Sequence, residues 1–169
     1  GDGNQVIHLG ERDCSVQRRN QKIIEIAPSP WLAPALRERI IDAALTLARQ
    51  AQYTSLGTFE FLVDGSAGAG EREDGGRFVF IEANPRLQGE HTVTEEVTGV
   101  DLVKTQLSLA RGQTLSQLAL ASQTPLPQGG FAIQFRVNME ALPGPAATAE
   151  RDDGCLNRYE PPGGPGVRV

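Results

Sequence analysis

Two β-rich runs, GTFEFLV from Gly57 and RFVFIEAN from Arg77, flank the glycine-rich charged segment DGSAGAGEREDGG, and this arrangement constrains the fold more than any other feature. Aromatic and β-branched residues suit a pleated surface, and a polar glycine-rich connector lets the runs turn back on each other. The two are predicted to form an antiparallel hairpin over a long loop. Side chains alternate along a strand, which sends Glu82 and Asn84 to one face, with Phe80 expected to share it. An even register sets Glu60 opposite Glu82 on that face, and a slip of one residue separates them.

Carboxylates held that close repel, and a cation is the usual reason to keep both ionised. With the Asn84 oxygen beside them the donor set is all-oxygen and suits Mg²⁺ (or Mn²⁺) bound through carboxylates and substrate phosphates. The alternative is a pair of solvated glutamates on the open face of a sheet, and spacing alone favours it slightly. Pro85 then ends the strand, and Arg86, Gln88 and Glu90 recur at every second position. An extended run would direct a guanidinium, an amide and a carboxylate into one space. Such a set grips a small oxyanion and puts a proton acceptor beside it, although an arginine near a glutamate is more often a surface ion pair.

Elsewhere, VIHL and KIIEIAP read as short strands on either side of the polar block GERDCSVQRRNQ. Arg12, Arg18, Arg19 and Lys22 form a basic cluster there, most simply a solvated face. Leu36, Ile40, Ala44, Leu47, Ala48 and Ala51 recur at helical spacing after three prolines, which predicts a helix from Ala35 to Gln52. A second helix is expected over 102–111, with Asp101 as N-cap and Gly112 at its stop. GFAIQFRVNME alternates Phe131, Ile133, Phe135 and Val137 with Ala132, Gln134, Arg136 and Asn138, a strand with Arg136 on its polar face. The tail holds turns and one short strand. A start in a turn and an end without a closing element lead to the expectation of a segment from a longer polypeptide.

Composition narrows the function classes. Hydrophobic residues at 39%, charged residues at 22% and a net charge of −5 exclude collagen-like, disordered and membrane chains. The acidic pI of 5.1 argues against nucleic acid as a partner, since that needs a basic surface. There is no signal-peptide pattern and no window of roughly 20 apolar residues, so a cytoplasmic location and no membrane partner are expected. Cys14 and Cys155 read as reduced structural thiols, and His8 and His91 as structural or exposed.

ERDCSVQRRNQKIIEIAPSP, GTFEFL, FIEANPRLQGEHTVTEEVTGVDLVKTQL, GFAIQFRVNME and PPGGPGVRV together resemble, in order and spacing, the biotin carboxylase family of the ATP-grasp superfamily. The resemblance covers nearly the whole chain. It implies an α+β fold, an ATP-grasp C-terminal subdomain with an antiparallel sheet flanked by helices. The later part of the ATP-grasp domain would span 1–128, and 129–169 would begin a partial biotin carboxylase C-terminal domain. The implied activity is carboxylation of carrier-linked biotin by MgATP and bicarbonate through carboxyphosphate. On this resemblance Glu60 and Glu82 match metal and ATP carboxylates, Asn84 a further metal ligand, and Asn20 and Leu62 ATP contacts. Lys22, Arg86, Gln88 and the main chain of Gly89 match bicarbonate contacts. Arg86 matches the catalytic arginine, placed also to stabilise the biotin enolate, Glu90 the base, and Arg136 a biotin contact. The implied partners are a biotin carboxyl carrier domain or protein, a carboxyltransferase component and, in the parent, further copies of the same chain.

Three departures accompany the resemblance. Asn20 stands where many relatives have His, Gly89 replaces a common Val, and the segment Asp64–Gly76 is longer than the usual connection. Nothing matches the family's glycine-rich lid or a biotinylation motif, so the 169 residues alone are expected to be inactive. The alternatives are another ATP-grasp ligase, which would share the metal carboxylates but not RLQGEHTVTE with FRVN, or a non-catalytic piece packing against partner subunits. The acyl acceptor is not encoded here.

Overall fold

The computed structural model describes residues 1–64, 76–121, 130–138, 140–141, 150–151 and 158–169. The chain divides into two compact units, Gly1–Arg136 and Val137–Val169. The first unit's leading sheet grows from a hairpin inside the polar block. β1 (Asp13–Arg18) and β2 (Gln21–Ala27) run antiparallel and turn through Arg19 and Asn20, at φ 51° and 62°. Two successive left-handed residues match the twist of a tight hairpin, and Asn tolerates that conformation. The strand expected at VIHL is not formed; DCSVQR pairs with β2 instead, because a tight turn selects the adjacent segment over a more distant apolar one.

Register matters here. Val16 faces Ile24 while Gln17 faces Lys22, so Ile23 is an extra residue on β2. A bulge of this kind moves the side chains beyond it to the other face. Lys22 therefore lies on the same side as Glu25 and Ala27 rather than with Ile24 and Ile26.

β5 (Ala132–Phe135) pairs with the other edge of β2 to give the order β1-β2-β5, with Glu25 opposite Gln134 and Ala27 opposite Ala132. Residues on both sides of position 128 thus share one sheet. The alternation expected for β5 is present, and its apolar face is the outer one. Phe131, Ile133 and Phe135 are 61%, 54% and 65% exposed, whereas Ala132 packs on the core of Ala27, Val93 and Val97. A helix approaches closely where the strand side chains are small, which makes the alanine face the inner one.

β3 (Thr58–Val63) and β4 (Phe78–Asn84) form the predicted hairpin as a separate two-stranded sheet, with Glu60 directly opposite Glu82. The ladder shifts between Glu60 and Phe61, leaving Ile81 extra on β4. Phe80 is accordingly opposite Phe61 and stacks near Phe59 and Phe61, on the face away from the carboxylates, which corrects the expected shared face. β4 is also largely exposed.

α1 (Pro34–Gln50) buries Leu36, Ile40 and Ala48, and its Arg37 is tied to Glu11 at 2.8 Å. α2 (His91–Thr98) was not foreshadowed, since HTVTEEVT is rich in β-branched residues of weak helix propensity. Val93 and Val97, one turn apart, bury it, and Gly99 at φ 69° ends it. α3 (Leu102–Ala110) starts where expected: Asp101 Oδ1 accepts the Lys104 N–H at 2.8 Å, and Glu95 Oε1 accepts that of Leu102 at 2.7 Å. In the second unit β6 (Glu140–Ala141) and β7 (Glu150–Arg151) pair antiparallel. No described helix is long and apolar enough to cross a membrane.

Candidate functional site

Lys22 joins the two sheets. Its Nζ donates to Glu60 Oε1 at 2.7 Å and to Glu90 Oε1 at 2.6 Å, residues carried by β3 and by the turn before α2. The other oxygen of Glu90 accepts from Arg136 Nη2 at 2.7 Å, just beyond β5. A carboxylate only 3% exposed thus sits between an ammonium and a guanidinium. Glu60 Oε1 also accepts from Gln88 Nε2 at 3.0 Å and Asn84 Nδ2 at 3.1 Å, and Asn84 Nδ2 reaches Glu82 Oε1 at 2.8 Å.

Burial pushes Glu90 and Glu60 upward, but the Lys22 hydrogen bonds, joined for Glu60 by Gln88, outweigh it and hold both carboxyls below the ordinary value. Burial likewise lowers Lys22, and its bonds to Glu60 and Glu90 more than reverse this. All three groups are therefore charged at neutral pH, and the network is a set of fixed charges in a partly dry setting. Cys14 is different: burial pushes its thiol up to about 11, so it is no nucleophile at neutral pH. Cys155 lies outside the described residues.

The structure brings Lys22, Glu60, Glu82, Asn84, Gln88, Glu90 and Arg136 into one connected network. Arg86 is not part of it. The Arg86 N–H bonds to Asn84 O at 2.8 Å in a turn around Pro85, and the exposed side chain reaches the Leu87 carbonyl at 3.4 Å. The chain at 86–90 is bent rather than extended, so the alternation expected to gather 86, 88 and 90 is broken. Gln88 and Glu90 point inward while Arg86 points to solvent. Asn20 sits at the exposed hairpin tip. Leu62 is 62% exposed, opposite Val79 on the carboxylate face of the hairpin. Gly89 lies against the Arg136 guanidinium, where a Cβ would stand 3.4 Å from Nη2, and its carbonyl accepts from Gln134 Nε2 at 3.2 Å.

Two residues escaped the sequence reading. Arg12, assigned to a solvated face, bridges Thr94 Oγ1 at 2.9 Å and Thr58 Oγ1 at 3.1 Å, tying α2 to β3. Glu25 is fully buried, 2.7 Å from Arg136 Nη2. An acid inside the apolar run KIIEIA, two residues from Ala27, was the available signal for it.

The carboxylates of Glu60 and Glu82 and the amide of Asn84 supply hard oxygen donors on one face, the chemistry a magnesium ion prefers. Asn84 turns its nitrogen toward both acids, as expected of a donor facing acceptors, in place of the oxygen predicted. Rotation of the amide would present Oδ1 instead. Among the described residues no group of three or more acidic, His or Cys side chains is placed to hold a metal ion, and the donor set here is two acids and an amide.

Residues 1–118 match the family model described as carbamoyl-phosphate synthase L chain, ATP binding domain. The chain is 48% identical over 164 residues to the pyruvate carboxylase of Pichia angusta, covering 97% of this chain and 13% of that protein. A solved biotin carboxylase domain of a single-chain bacterial carboxylase superposes with TM-score 0.73 at 52% identity, over 86% of this chain and 34% of that one. The biotin carboxylase domain dimer of Hydrogenobacter thermophilus 2-oxoglutarate carboxylase, solved with MgADP, ADP and bicarbonate, gives TM-score 0.67 at 46% identity, over 79% and 27%. The chain thus spans about an eighth of the length of its pyruvate carboxylase relative. With an antiparallel α+β fold and a matched family description over most of its length, it belongs to the family of the carbamoyl-phosphate synthase L chain ATP binding domain, and within it is similar to biotin carboxylase domains.

Proposed function

We propose that this chain supplies the bicarbonate-activating face of an ATP-dependent biotin carboxylase. The observation that carries the reading is the buried, ionised Glu90 held between Lys22 and Arg136, beside the Glu60–Gln88–Asn84 network. A small oxyanion entering there competes for the donors of Lys22 and Arg136. As Lys22 turns a hydrogen toward it, Glu90 loses the bond that depresses its pKa and becomes a better acceptor for the bicarbonate proton. The Gln88 amide nitrogen, which donates to Glu60, and the main chain of Gly89 complete the anion contacts in this reading. Arg86, exposed and among the described residues bonded through its side chain to the Leu87 carbonyl, would swing toward the reacting groups.

Glu60, Glu82 and Asn84 would hold Mg²⁺ or Mn²⁺, which neutralises nucleotide phosphate charge when bound. Leu62 and Val79 offer an apolar platform beside these acids for ATP, with Asn20 as a further contact. Arg136 is assigned to biotin, delivered on a carrier domain or protein, with a carboxyltransferase component choosing the acceptor. Assembly with further copies of the chain, a cytoplasmic location and a domain boundary at 128/129 belong to the same proposal. The test is steady-state ATP cleavage by the intact polypeptide that carries this chain. Cleavage should require both bicarbonate and biotin, and Glu90→Gln should lower it by at least about 100-fold while nucleotide affinity stays near wild type. Cleavage indifferent to bicarbonate, or a fully active Glu90→Gln variant, would overturn the reading.

A further inference from the structure

Glu25 is 0% exposed, and neither of its carboxylate oxygens accepts a well-directed hydrogen bond. Its contact is Arg136, whose Nη2 lies 2.7 Å from Glu25 Oε1 and donates at 2.7 Å to Glu90 Oε2. One guanidinium nitrogen is therefore shared by two acids. The Arg136 Nε is buried without a partner, so the hold on the guanidinium is concentrated at Nη2. Burial pushes the Glu25 carboxyl upward by more than Arg136 brings it down, and Glu90 adds to the rise. A buried acid so incompletely compensated is a burden on stability, and a well-packed neutral replacement is often neutral or favourable. Its presence on β2 among Ile24, Ile26 and Ala27 calls for a role other than folding.

We propose that Glu25 is a positioning residue that anchors Arg136 from a side substrate does not reach. The inference rests on the functional reading above, in which Glu90 takes a proton and Arg136 meets biotin. Once Glu90 is protonated it is a poorer acceptor for Nη2, and Arg136 would lose half its tether at the moment it must stay aimed. Glu25 lies beneath it and keeps the second hold. Its effect reaches the reaction only through Arg136.

The experiment is steady-state kinetics of the intact carboxylase with free biotin, on wild type, Glu25→Gln, Glu25→Asp, Arg136→Gln and the double variant Glu25→Gln/Arg136→Gln, with thermal melts alongside. Glu25→Gln should raise the KM for biotin about tenfold, with kcat within about threefold of wild type and a melting temperature unchanged or higher. Glu25→Asp, which keeps the charge, should recover part of the loss. The double variant should be no worse than Arg136→Gln alone. A biotin KM within twofold of wild type, a Glu25→Gln protein that fails to fold, or additive losses in the double variant would each overturn the proposal. Wild-type enzyme without biotin-dependent turnover is a separate outcome, which removes the functional reading and this inference with it.

Discussion

Lys22 donates from one nitrogen to two carboxylates, one of them with a side chain only 4% exposed, so its loss leaves buried negative charge without a partner. Lys22→Met should lower unfolding free energy by about 3 kcal/mol, read from denaturant midpoints at neutral pH. The pH dependence has a definite sign. Glu60 and Glu90 are held below their ordinary values, so the unfolded chain binds more protons than the folded one across that window. Their contribution is complete above about pH 5 and is lost as pH falls through their folded values. Glu25, raised by burial, acts oppositely: its ionisation as pH rises through its folded value costs stability. In Lys22→Met, which lacks the bonds that depress Glu60 and Glu90, the acid-side loss of stability should become shallower. Melts from pH 3 to neutrality on both proteins check it, and equal slopes would contradict the assigned cause.

At the scale of elements, two one-residue bulges and one short helix compose the site. The bulge at Ile23 carries Lys22 to the face of Glu25, and the shift at Ile81 leaves Glu82 on the acid face while Phe80 turns to the aromatic one. α2 follows Glu90 directly and depends on packing rather than propensity, with Val93 2% exposed. Val93→Ala removes two buried carbons and leaves a cavity, so it should cost about 2 kcal/mol. Asp101→Ala removes the acceptor for the Lys104 N–H and should cost about 1 kcal/mol, whereas Asp101→Asn should be nearly silent. Denaturant unfolding of the three variants provides the comparison. An Asn as damaging as Ala would show that the cap is not what Asp101 supplies.

At the scale of the whole molecule, Val16, Ile133 and Phe135 stand 49%, 54% and 65% exposed on one face of the β1-β2-β5 sheet. Contiguous apolar surface of this kind drives association in water. The 169-residue chain should associate with rising concentration in sedimentation velocity and bind an apolar dye, and Ile133→Thr with Phe135→Thr should weaken both. Unchanged association in that double variant would exclude this face as the cause. The sequence by itself determined the β3–β4 hairpin, α1, and the α3 start at Asp101, because periodicity and caps act over a few residues, while the register that sets Glu60 opposite Glu82 came from the structure. It also carried the family resemblance, which named Lys22, Gln88, Glu90 and Arg136 before any geometry placed them. Tertiary structure alone decided that Lys22 crosses to the face of Glu25, that α2 is a helix, that the alanine face of β5 is the inner one, and that Arg86 stands apart while Glu25 joins the network. Those outcomes depend on register between segments far apart in the chain and on which surface a neighbour covers, and neither burial nor register is a property that a local stretch of residues possesses alone.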